Sequence, residues 1–312
     1  MKPYSSATLP SRLPLPLAPS GLGWALWGVA AFSLTGPLTR VAVGGMSPMF
    51  IGSGRAVLAA ALAAAALLLT RQQLPRKVQW SRLAVVAGGV VVGFPLLTSF
   101  ALTTAEASHG AVVIALLPAA TAAASVLRGR EQTRPAFWAA TGVGAAAALS
   151  FAFVQSGGFG HLQWADVLLM GAVASAAIGY AEGGMLAREL GPWQTVSWAL
   201  VLAAPLMLAL TTVSVLQHPP AGTPLQWASF VYLGVVSMFL GFFAWYRGLA
   251  IGPIAQVSQI QLVQPVLSIS WAALLLGEGL TAATILGGLA VVACAGITAR
   301  IRSSPGEHVK RT

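Results

Sequence analysis

Hydrophobic positions in this chain neither alternate nor keep to one helical stripe. They fill whole windows, and polar residues gather in short breaks between them. A helix needs about 20 apolar residues to cross the hydrocarbon core of a bilayer. On that basis the pattern predicts ten spanning helices, near residues 22–41, 48–70, 82–102, 108–127, 135–154, 164–187, 193–215, 226–247, 254–276 and 281–300. The expected organisation is an all-α membrane protein: a tail over 1–21, a first five-helix unit over 22–155, a second over 156–300 and a tail over 301–312.

Composition sharpens this reading. Only 8% of the 312 residues are charged and 57% are hydrophobic, with a mean hydropathy of +0.80. Soluble domains carry about 25% charged residues, so a water-soluble fold is excluded. The single cysteine, Cys294, rules out an internal disulfide, and no metal or other cofactor is expected. A net charge of +10 would suggest nucleic acid in a soluble protein. Here the basic residues sit between apolar runs and read as topology signals instead. With the N-terminus placed in the cytoplasm, 15 of the 17 Lys and Arg residues fall on the cytoplasmic side, Arg40 and Arg55 being the exceptions. Both termini are therefore expected to be cytoplasmic, in an inner (plasma) membrane, and no cleavable signal is expected in the Pro- and Ser-rich first 20 residues.

A shift of 147 residues overlays several landmarks: Gln79-Trp80 on Gln226-Trp227, Leu102 on Leu249, Pro118 on Pro265 and Glu131 on Glu278. Five spans per unit is an odd number, so the second unit enters the membrane inverted. Inverted repeats of this kind build many secondary transporters, with the solute site near the midplane where the halves meet.

The two five-helix units, the mid-helix Pro118 and Pro265, and the sequence LLLGE at 274–278 resemble the EamA family of the drug/metabolite transporter superfamily. The first unit departs from that ending, reading RGRE at 128–131. The resemblance implies a ten-helix secondary transporter whose central cavity is lined mainly by helices 1, 3, 4, 6, 8 and 9. It also implies a small metabolite as solute, an amino acid or a similar amphipathic molecule, and efflux as the direction.

Candidate residues follow from polarity inside the apolar runs, where an unsatisfied amide costs several kcal/mol. Span 9 holds Gln256, Gln259, Gln261, Gln264 and Ser268. Gln264, Ser268 and Trp271 share a helical face, with Gln261 one turn earlier. Such amides either line a wet cavity or hold helices together. Their partners in span 4 under the shift are mostly apolar, so the second unit is expected to supply most of the polar wall. Ser33, four residues before Pro37 in span 1, and the aromatics Trp27, Phe94, Tyr180 and Trp245 complete the expected cavity.

Glu182 lies within span 6 and His109 near the outer end of span 4. Each reads either as a proton carrier or as a structural or interfacial group. Arg55, about two turns into span 2, either holds a solute anion or makes a structural pair. No P-loop, HExxH or GxSxG motif is present. The expected partners are therefore a small solute, lipid and, as a coupling ion, protons, with no nucleic acid and a monomer or homodimer as the assembly. An uptake permease or exchanger on the same fold, a lipid translocase, and a membrane enzyme using Glu182 and His109 stand as alternatives.

Overall fold

A computed structural model describes residues 19–129 and 163–279, with isolated helical positions between 135 and 146 and between 282 and 293. Expected spans 5 and 10 fall largely outside the described residues. Every regular element among the described residues is helical. Seven stretches are long and apolar enough to cross a bilayer: Gly21–Val43, Pro48–Leu69, Lys77–Ala101, Trp164–Leu190, Pro192–Gln217, Pro224–Ile251 and Ile254–Leu276. The chain is a multi-pass membrane protein.

Helix starts are written in local chemistry. Ser47 caps α3 (Pro48–Leu69) by accepting from the Phe50 N–H at 3.1 Å, with Pro48 at the first helical position. The helix over Lys77–Ala101 begins five residues before the predicted edge at 82. The Gln79 amide oxygen accepts from the Arg76 N–H at 2.8 Å, which starts the helix among the basic residues Arg76 and Lys77. In the second unit Gln226 accepts from the Thr223 N–H, also at 2.8 Å, and starts the Pro224 helix. The repeated Gln-Trp landmark is thus a repeated helix cap.

Several spans are interrupted. The first splits into α1 (Pro19–Ser33) and α2 (Thr35–Val43). Pro37 lacks the N–H that would bond the Ser33 carbonyl, and that oxygen accepts from the Ser268 hydroxyl at 2.6 Å instead. The third runs α4 (Lys77–Val86), a π-helical segment Ala87–Gly93, then α5 (Phe94–Ala101). The expected fourth span, which is not among the seven, is described as α6 (Ala107–Ile114) and α7 (Leu117–Gly129). The second unit holds α8 (Trp164–Leu190) and α9 (Pro192–Gln217). It continues with α10 (Pro224–Tyr232), a π segment Leu233–Leu240 and α11 (Gly241–Ile251). It then has α12 (Ile254–Val257), a 3₁₀ turn Ser258–Leu262 and α13 (Val263–Leu276).

Shifting Ala87–Gly93 by 147 lands on 234–240, within one residue of the second π segment. π segments are rare and recur at functional sites. The same irregularity at the same place in both units is a structural trace of the repeat. One pair of repeat-related helices also runs oppositely where the units meet. Gly277 adopts φ 68°, ψ 20°, ends α13 and turns Glu278 toward the start of α6. Its carboxylate accepts from the Ala107 and Ser108 N–H groups at 3.0 Å each. The end of α13 therefore lies at the beginning of α6, so the repeat-related helices 107–129 and 254–276 are antiparallel.

Packing relies on small residues, as expected where lipid supplies no hydrophobic drive between helices. α3 lies along α9, α1 along α11 and α7 along α8. A methyl group on Gly183 would stand 2.4 Å from the Tyr246 ring and hydroxyl. The bare Gly183 thus lets α8 and α11 approach. Tyr246, Trp245, Tyr180, Phe32 and Phe242 form an aromatic cluster, with Tyr180 and Trp245 centroids 5.4 Å apart.

Candidate transport site

Two adjoining narrow spaces lie between the units, each with a cavity volume of about 20 Å³, room for a water molecule in this conformation. They share Thr35, Phe94 and Gln264 as wall residues and so form two lobes of one narrow cavity. The first lobe runs past Thr39, Thr98, Ala107, Pro265 and Ser268. The second adds Arg55, Tyr180 and Ser237, with Val90 and Met238 from the two π segments. Helix breaks and π segments from both units thus meet on the same wall.

Of the residues expected from the sequence, Gln264, Ser268, Phe94, Tyr180 and Arg55 stand on this wall. Gln261 is buried beside them and donates to the Gln264 amide oxygen at 3.2 Å. Gln259 is buried but turned toward helix 107–129, donating to the Pro118 carbonyl at 3.3 Å, and Gln256 is buried near the start of the same segment. Gln259 thereby ties its helix to the helix at 107–129. Ser33 receives Ser268 on its carbonyl and the Trp271 indole N–H on its hydroxyl at 3.2 Å, which ties span 1 to span 9 behind the wall.

Two aromatic expectations are corrected. Trp27 is 74% exposed on the outward face of α1, because Ala25, Val29 and Phe32 take the inward positions. Trp245 is fully buried within the aromatic cluster and does not reach either lobe. Thr98 and Ser237 were not singled out in the sequence. Ser237 hydrogen-bonds Thr35 at 2.7 Å across the second lobe, and the only hint of it was a hydroxyl inside the apolar run 233–240.

The titratable candidates lie at opposite ends. Glu182, 3% exposed, accepts from Arg82 and from the Arg128 Nε at 2.9 Å, while Arg82 also binds Glu189. This cluster joins α4, α7 and α8 at the face that carries Arg71, Arg76 and Arg128. At the other end His109 meets Asp166 at 2.6 Å, joining the starts of α6 and α8, near the Glu278 cap. His109 and Glu182 share no site. Arg40, the other cation outside the charge pattern, donates to the Leu102 and Thr103 carbonyls at 2.7 and 2.8 Å and closes the end of α5. No group of three or more metal-ligating side chains occurs among the described residues.

A helical membrane protein with broken, repeated helices around a central cavity belongs to the structural class of solute carriers. The EamA-like transporter family matches residues 19–153 and 163–299, one match for each unit. The chain belongs to that family, within the drug/metabolite transporter superfamily. It is 42% identical over 275 residues to the uncharacterized transporter YdeK of Bacillus subtilis (strain 168), covering 86% of this chain and 92% of that protein. A crystal structure of a protein at 20% identity shares the fold with a TM-score of 0.69, over 91% of this chain and 99% of that one.

Proposed function

We propose that the protein is a secondary transporter of ten helices in two inverted five-helix repeats, moving a small metabolite by alternating access through the central cavity. The observation that carries this reading is the two-lobed cavity, which has Gln264 at its junction and walls drawn from both units. An amide both donates and accepts, and inside a bilayer it is costly unless it faces protein or water. At opposite ends of the cavity, two polar contacts act as latches: the Arg82–Glu182–Arg128 cluster, and His109–Asp166 with the Glu278 cap. Alternating access requires each to open in turn.

The proposed setting is the inner membrane, with both termini and the Glu182 latch on the cytoplasmic side, following the basic residues. The proposed direction is efflux. The His109–Asp166 pair, about a quarter exposed, is the candidate for proton coupling. In vesicles preloaded with labelled small metabolites, the protein is expected to release one solute class faster than protein-free vesicles do. Gln264→Leu is expected to reduce that release at least about tenfold, the loss of one or two hydrogen bonds, at unchanged expression. Wild-type release in the Gln264→Leu vesicles would remove this cavity from the path.

A further inference from the structure

Arg55 is 2% exposed, and its guanidinium stands in the wall of the second lobe. Its hydrogen bond is a long one, 3.4 Å from a terminal nitrogen to the Thr98 hydroxyl, and Nε has no partner among the described residues. The described carboxylates are engaged or placed elsewhere. Asp166 pairs with His109, Glu182 and Glu189 with Arg82, Glu278 caps α6, and Glu106 is exposed in the turn before α6. A guanidinium removed from water is stable only against an anion or several acceptors. The neighbouring polar groups Thr35, Ser237, Gln264 and Tyr180 are neutral, and Phe94 and Phe242 offer apolar faces.

We propose that Arg55 is the anion-binding residue of the cavity, and that the solute is a small organic acid with one carboxylate and an apolar body. The guanidinium fork takes the carboxylate in a bidentate grip, and the Phe94, Phe242 and Tyr180 rings take the body. No acidic group among the described wall residues would receive an ammonium, so an uncharged body fits better than a zwitterion. This assignment rests on the transport reading for its location and deepens it to a solute class.

The test is ligand binding to detergent-purified protein, read as the shift in unfolding temperature. The probes are phenylacetate and 4-methyl-2-oxopentanoate against phenylacetamide and phenethylamine. The two carboxylates are expected to raise the midpoint saturably, and the amide and amine to leave it unchanged. Arg55→Met is expected to unfold at the wild-type temperature or above it, since it removes an uncompensated charge, and to bind carboxylates about 10- to 100-fold more weakly. Arg55→Lys keeps the charge without the fork and is expected to fall between. The proposal is overturned if neither carboxylate stabilises the wild type, if the amide or amine stabilises it equally, or if Arg55→Lys binds carboxylates as wild type does. A marked fall in the Arg55→Met midpoint, or its failure to fold, would likewise show a structural role and overturn it. Carboxylate binding that depends on Arg55, together with no flux of these probes in vesicles, would contradict the transport reading and leave the binding assignment standing.

Discussion

Replacing Glu182 by Gln removes the charge that two guanidinium groups share and leaves the shape of the site nearly unchanged. The wild-type carboxylate is almost fully buried, while the Arg82 and Arg128 side chains are 25% and 43% exposed. Breaking a fully buried pair costs about 3–5 kcal/mol, and exposed pairs contribute about 0–1 kcal/mol. Arg82 keeps Glu189 as a partner, and water reaches Arg128, so the loss should sit between these limits, at about 2 kcal/mol. That corresponds to a fall of roughly 4–8 °C in unfolding midpoint on the scale of medium-sized domains. The assay is thermal unfolding in detergent of Glu182→Gln, Arg128→Gln and the double variant. The double variant is expected to be less destabilised than the sum of the singles, by about 1 kcal/mol of coupling. Additive effects, or a Glu182→Gln midpoint equal to wild type, would refute the claim that this cluster ties α4, α7 and α8.

Glu278→Ala leaves the Ala107 and Ser108 N–H groups without their acceptor and should cost about 1 kcal/mol. Limited proteolysis in the turn before α6 should show this as faster cleavage than in the wild type. Gly183→Ala should lower the unfolding midpoint by an amount corresponding to about 1–3 kcal/mol, because its methyl group meets the Tyr246 ring and separates α8 from α11. An unchanged midpoint would mean that this helix contact yields freely.

Burial from lipid was legible in the sequence, and the choice of neighbour was not. The glutamines of span 9 had to turn inward because lipid offers no partner to an amide, and all four are buried. Which of them reach the cavity depends on the break at Ser258–Leu262, which sends Gln259 to the Pro118 carbonyl and leaves Gln264 on the wall. Trp27 was misplaced for a related reason. In a bilayer both faces of a helix are apolar, so no amphipathic stripe marks the inward side of α1. The helix caps at Gln79 and Gln226 could be recognised as repeat landmarks, but their chemistry needed the backbone. The partners of Glu182 lie on three helices far apart in sequence, and no spacing rule reaches them. Arg55 could be read from the sequence as either a pair member or an anion holder, and only the packing reveals that its hydrogen-bond partner is the Thr98 hydroxyl and that no described carboxylate pairs with it.

The central claim is that the space around Thr35, shared by both lobes, opens to each side of the membrane in turn. Thr35→Cys in a Cys294→Ala background places a single thiol there, since Cys294 is the sole native cysteine. A membrane-impermeant thiol reagent added to right-side-out and then to inside-out vesicles should label Thr35→Cys from both sides, with protection by any solute that the protein moves. Labelling from one side alone, or from neither, would contradict alternating access through this cavity.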